Sequence, residues 1–296
     1  MKLGLGTVQF GLDYGVANRA GQVPPSEVAR MLALAEKEGI SVLDTAHHYG
    51  DSQRVLGQQL RPGAAFRIVT KTPRFGEVPL REAHADLLEA SLASSLRELG
   101  RQRIYGSLVH HAPDAMVEGS ERLFARLTRL KERGWVEKIG VSVYRPEDLE
   151  SILHTHPIDL VQLPFNVLDQ RMARRPDLLQ SLRQRGVEVH VRSAFLQGLL
   201  LLDPAALDPS FGPWLPTLTE FRRRATAPEL SPLAVAVRFA LEAPFVDTVI
   251  VGACSTGQLT EIVEAARGTT ALPALDDLAV ADEALINPSR WLAVRP

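Results

Sequence analysis

The chain has 296 residues, 45% hydrophobic and 23% charged, with a formal charge of −2 and both signs interspersed. This balance excludes a disordered or fibrous chain and leaves no basic footprint for nucleic acid or an anionic membrane. A single cysteine, Cys254, excludes an internal disulfide, and no apolar run approaches the roughly 20 residues that span a bilayer.

Short β-branched segments alternate along the chain with longer segments of helical period. Leu3–Val8 reads as the first strand, and Met1–Gly6 carries no signal-peptide pattern, so the expected location is cytoplasmic. A stretch holding Gly11, Gly15, Gly21, Pro24 and Pro25 follows. The first helical pattern is Glu27–Lys37, with Val28, Met31, Leu32 and Ala35 on one face. Strand segments continue at Ser41–Thr45, Phe66–Lys71, Ile104–His110, Ile139–Val143, Ile158–Leu163, Val187–Ser193 and Val246–Gly252. Helical patterns fill Arg81–Leu99 and Glu121–Arg133, the latter followed by a C-terminal Gly134. Pro146 and Pro232 each stand where a helix opens.

Eight strand segments alternating with helices predict parallel βαβ units closing as a (β/α)8 TIM barrel, one domain over residues 1–296. The competing architecture is a doubly wound open sheet, which should show a glycine-rich turn feeding a helix. Gly4-Leu5-Gly6-Thr7 is glycine-rich, but no helix is expected before about Ser26, so the dinucleotide fingerprint fails in context. The long segment Gln197–Glu229, with five prolines after strand seven, is expected to be a functional loop. The tail Thr269–Pro296 is expected to pack over the barrel.

Barrel active sites lie at the C-terminal ends of the strands. There the sequence offers Asp44 with Tyr49, then Lys71, then His110 and His111. A tyrosine, with an ordinary pKa of about 10, is a poor acid, but a neighbouring ammonium favours the phenolate. Asp44 would hold that ammonium, and His110 would meet a substrate oxygen beside the phenol. The set suits protonation of a carbonyl oxygen during hydride delivery. Taken singly, Asp44 and Lys71 read equally well as a structural ion pair at the rim.

These motifs resemble the aldo-keto reductase family over nearly the whole chain. Gly4-Leu5-Gly6-Thr7 with Gln9-Phe10-Gly11 is similar to the family's opening. Leu43-Asp44-Thr45-Ala46-x-x-Tyr49-Gly50-x-Ser52 is similar to its most specific signature, Thr70-Lys71 to its lysine strand and Leu108-Val109-His110 to its histidine strand. The resemblance implies Tyr49 as general acid/base, Lys71 as its partner, Asp44 as the anchor and His110, rather than His111, as the residue orienting the carbonyl. It also implies a nicotinamide cofactor, NADPH with NADH as the alternative, and a small-molecule carbonyl substrate. The oligomeric state stays open.

The cofactor residues follow from the same likeness: Gly6, Thr7 and Asp44; Ser142 and Gln162 for the carboxamide, the latter within Val161-Gln162-x-x-x-Asn166, which resembles strand six; Arg192, Ser193, Phe195 and Gly198 after strand seven; Gly252, Cys254, Gln258 and Glu261 after strand eight. Val143 replaces a usual polar residue, Gln53 a usual Glu, and Arg192 stands where an aromatic ring often stacks on the nicotinamide. Gly252–Glu261 holds no Lys or Arg for a 2′-phosphate; Arg222, Arg223 and Arg224 would supply that charge or form a solvated face. Tyr14, His47, His48 and the strand-seven loop are expected to line a polar substrate pocket suited to a sugar or hydroxyaldehyde. The rivals are a metal hydrolase using His47, His48, His110 and His111, a Schiff-base aldolase using Lys71, and a cofactor-binding regulatory protein.

Overall fold

The computed structural model describes residues 1–76 and 79–291. Eight strands alternate with helices: β1 (Leu3–Gly6), β2 (Val42–Asp44), β3 (Arg67–Lys71), β4 (Ile104–Val109), β5 (Val136–Ser142), β6 (Leu160–Pro164), β7 (Glu188–Arg192) and β8 (Thr248–Gly252). Each pairs in parallel with the next, and β8 returns to β1, so the sheet closes as the expected (β/α)8 barrel. Parallel strands buried on both faces need apolar runs, and these segments supply them. Val42, Val69, Leu108, Leu160 and Ile250 form a buried cluster of their own, while a larger core joins strands to helices.

Eleven helices are described: α1 (Val8–Gly11), α2 (Pro25–Lys37), α3 (Ser52–Gln59), α4 (Glu82–Glu98), α5 (Ser120–Glu132), α6 (Pro146–Thr155), α7 (Pro176–Arg185), α8 (Leu215–Ala225), α9 (Pro232–Glu242), α10 (Thr256–Ala266) and α11 (Glu283–Ile286). The face predicted for α2 is the buried one. Pro232 opens α9, where the Ser231 hydroxyl accepts the Ala234 N–H at 3.2 Å. Gly134 takes φ +75° after α5, a conformation that glycine adopts without a Cβ penalty.

Two expectations need correction. A helix does follow Thr7 directly, but α1 is a single turn of four residues. The segment Gln197–Glu229 is not a bare loop. It folds as 3₁₀ turns and then α8, whose Pro216 sits in the first turn where a missing N–H costs nothing. The helix α3, which the sequence reading did not mark, is only eight residues long and buries Val55 and Leu56. The tail packs on the barrel over its described part, residues 292–296 lying outside the described residues: Val280 N–H donates to the Leu168 carbonyl at 2.8 Å, and Gln170 donates to the Leu275 carbonyl at 2.9 Å. Both contacts lie on the connection after β6, which puts the tail beside the C-terminal ends of the strands.

Candidate active site

Asp44 ends β2 and pairs in register with Val69, so Lys71 lies two residues farther along the adjacent strand. Side chains two apart share a face, and the Lys71 stem brings its ammonium back to Asp44. Nζ donates to both Asp44 carboxylate oxygens at 2.7 and 2.8 Å, to the Thr45 carbonyl at 2.9 Å and to the Tyr49 hydroxyl at 3.3 Å. Gln162 donates from Nε2 to Asp44 Oδ1 at 2.7 Å. The carboxylate therefore accepts from two residues, as a buried charge requires.

Tyr49 is placed by a knot of short contacts behind it. The Ser52 hydroxyl donates to the Thr7 carbonyl at 2.8 Å, and the Thr7 hydroxyl donates to the Asp44 carbonyl at 2.9 Å. A Cβ on Gly11 would lie 1.9 Å from the Tyr49 carbonyl oxygen, and Gly50 turns there at φ +53°. These contacts give the Tyr49-Gly50-x-Ser52 spacing its physical content. They fix the turn against α1 and send the phenol toward Lys71.

His110 stands edge-on to Tyr49, with ring centroids 5.9 Å apart. His111 also borders the cavity, but its Nδ1 lies 3.2 Å from Asp114 Oδ1. His48 accepts the Arg74 N–H at 3.0 Å, while His47 is exposed and does not border the cavity, a correction to the expected pocket.

The electrostatics also correct an expectation. Burial, reinforced by the Asp44 charge, pushes the Tyr49 hydroxyl well above its ordinary range, with Arg192 pulling the other way. Burial likewise lowers the Lys71 amine, against the raising effect of Asp44. The resting phenol is thus protonated, ready to donate. Burial holds His110 down at about 2, so its imidazole is neutral.

One cavity of about 1310 Å³ opens at this end of the barrel. All the catalytic and cofactor candidates carried by the family resemblance border it, from Gly6 and Thr7 to Gln258 and Glu261. Ser142 and Gln162 lie side by side across β5 and β6. Among the described residues Gln162 Oε1 is buried without a partner, an acceptor suited to a carboxamide NH₂. Gln9 Oε1 is orphaned in the same cavity. These groups fit a nicotinamide dinucleotide. At the far end, Cys254 N–H donates to Gln258 Oε1 at 2.8 Å, Ser255 caps α10 and Glu27 takes the Thr256 N–H.

Asn166 lies outside the cavity lining: its side chain accepts from Leu168 and Asp169 N–H and donates to the Ser193 carbonyl, tying two loops together. The three arginines of α8 do not border the cavity; Arg223 and Arg224 pair with Glu220, and Arg222 binds the Leu201 carbonyl. Sequence reasoning missed Tyr144, Arg74 and the tail residues Asn287–Arg290, which also line the cavity. Nothing local marks the tail residues, because only the closed fold brings them there. Among the described residues no cluster of three or more His, Cys, Asp or Glu could hold a metal ion, and no helix is long and apolar enough to cross a membrane.

A parallel barrel whose mouth joins a protonated phenol, a carboxylate-bound ammonium, a neutral imidazole and a carboxamide acceptor defines an oxidoreductase of the (β/α)8 class. The Aldo/keto reductase family model matches residues 2–273, and the chain belongs to that family of NAD(P)H-dependent oxidoreductases. Aldo-keto reductase YhdN of Bacillus subtilis (strain 168) is 23% identical over 288 residues, covering 89% of this chain and 84% of that one. Aldo-keto reductase AKR11C1 from Bacillus halodurans, in its holo form, superposes with a TM-score of 0.73 at 21% identity over 98% and 95% of the chains. The glycerol dehydrogenase AKR11B4 from Gluconobacter oxydans gives 0.69 at 22% identity over 97% and 92%.

Proposed function

We propose that the protein reduces an aldehyde or ketone to the alcohol, with Tyr49 as the proton donor. The cofactor supplies the hydride. The residues do the rest. His110, neutral and beside Tyr49, presents a nitrogen to the carbonyl oxygen and orients it toward the phenol. Tyr49 gives its proton to that oxygen as negative charge develops there. The Lys71 ammonium, fixed by Asp44 and Thr45, stabilises the phenolate left behind. Ser142 and Gln162 hold the carboxamide, and the cavity wall limits water around the reacting carbon.

The observation that carries this reading is the Tyr49 hydroxyl at 3.3 Å from Lys71 Nζ, inside the cavity and against the His110 ring. A Schiff-base role for Lys71 fits less well, since its hydrogens are already directed at Asp44, Thr45 and Tyr49. The dinucleotide is taken as NADPH, with NADH as its comparison. In support, Arg19 borders the cavity as an exposed cation without an ion pair among the described residues. The polar lining, including Tyr14, His48 and Ser289, suits a sugar or hydroxyaldehyde.

Tyr49→Phe tests the assignment. It should bind NADPH as the wild type does in a fluorescence titration, and lose at least about 100-fold in turnover of a carbonyl panel. Equal turnover would remove the phenol from the chemistry. No turnover by the wild type, with intact dinucleotide binding, would point to a cofactor-binding regulatory protein instead.

A further inference from the structure

Arg192 ends β7 opposite Pro164 of β6, yet its guanidinium reaches past β6 to the end of β5. It lies 4.1 Å above the Tyr144 ring centroid and donates from Nη2 to the Val143 carbonyl at 3.1 Å. That is one hydrogen bond from a group with five N–H donors. The side chain is half-buried, and among the described residues no carboxylate lies within ion-pair distance of it. Of the other arginines bordering the cavity, Arg145 pairs with Asp148 and Arg290 with Glu283, while Arg19 and Arg74, without an ion pair among the described residues, are exposed to water rather than half-buried. Arg192 is thus a cation held flat on an aromatic face with most of its donors unused. Arg192 borders the same cavity as Tyr49, Lys71 and His110, and its charge acts on all three.

A partly desolvated guanidinium is costly unless something anionic completes it. The aromatic face offsets part of that cost, and it also fixes the plane of the fork for a two-oxygen ligand. Within a cavity of low-dielectric walls its field draws anions inward. We propose that the carbonyl substrate carries a carboxylate or phosphate group, received by Arg192 at the mouth of the barrel. This rests on the carbonyl-reduction reading and narrows its substrate class.

The test compares kcat/KM for pairs that differ chiefly in charge: pyruvate with methyl pyruvate, succinic semialdehyde with methyl 4-oxobutanoate, and glyceraldehyde 3-phosphate with glyceraldehyde. The wild type should favour a charged member by about tenfold or more, chiefly through KM, and less so at high salt. Preference in the carboxylate pairs alone or in the phosphate pair alone identifies the anion. Arg192→Gln should abolish the preference, and Arg192→Lys, which keeps the charge without the fork, should retain part of it. No preference in the wild type overturns the proposal, as does Arg192→Gln weakening dinucleotide binding while leaving the charged-to-neutral ratio intact. Reduction of no compound at all would fail the carbonyl-reductase reading. Calorimetric titration with oxalate then decides the anion site: binding lost in Arg192→Gln supports it, and absent binding in the wild type overturns it.

Discussion

Lys71 and Asp44 are almost wholly buried, with side chains 1% and 6% exposed, so each is tolerated only because of the other. Replacing one partner strands the other's charge in the interior. Lys71→Met should therefore lower stability by about 3–5 kcal/mol in urea unfolding. Asp44→Leu combined with Lys71→Met should recover most of that loss without recovering turnover. If the single variant unfolds at the wild-type midpoint, the two residues do not form an electrostatic unit. At this scale the sequence was informative where chemistry sits on the strand that carries it. Asp44, Lys71 and His110 lie at strand ends, and period-2 alternation sends neighbouring side chains to opposite faces. Arg192 was not legible in the same way. Its place at the end of β7 was readable, but not the packing of its guanidinium on Tyr144 of the β5 connection. Long side chains choose their neighbours in three dimensions.

Among the elements, the turn that carries Tyr49 depends on a contact between two backbones. The one-turn helix α1 ends in Gly11, whose missing Cβ leaves room for the Tyr49 carbonyl and the Ser52 N–H. Gly11→Ala would place a methyl 1.9 Å from that carbonyl oxygen, which forces the two turns apart. The expected result is a loss of about 2–4 kcal/mol in thermal or urea unfolding, together with a fall in kcat. Wild-type stability and rate in this variant would show that the turn is positioned by something else. The eight strands and the long amphipathic helices were readable because burial on one or both faces imposes a period. The helix α8 was not, because the prolines that surround it read as loop and only Pro216 falls inside, in the first turn, where proline is harmless.

For the molecule as a whole, acid is the foreseeable stress. Burial holds His48, His110 and His156 below the ordinary imidazole value of 6.5, His110 as far as about 2. An unfolded chain binds protons at these sites below about pH 6.5, while the native one resists. Stability is therefore fully present above about pH 6.5 and is lost as pH falls below it. His110 alone accounts for up to about 1.4 kcal/mol per pH unit in that range. The urea midpoint should fall between about pH 7 and about pH 5.5, and His110→Gln should flatten the slope. A midpoint that is level or rises toward acid in the wild type would contradict the buried neutral imidazole.

The seam between β1 and β8 joins the two extremes of the barrel's order of synthesis. Val249 N–H donates to the Lys2 carbonyl and Lys2 Nζ donates to the Val246 carbonyl, both at 2.8 Å. The first strand to leave the ribosome is therefore the last to acquire its second neighbour. Until that neighbour emerges, the nascent sheet presents a raw margin of unpaired amides, the kind that recruits other chains. Ring closure across so long a stretch is slow, because the entropy of the intervening chain must be surrendered before the seam returns anything. The working enzyme has no open edge, but its precursor does, and yield during overexpression should depend on how well that margin is shielded.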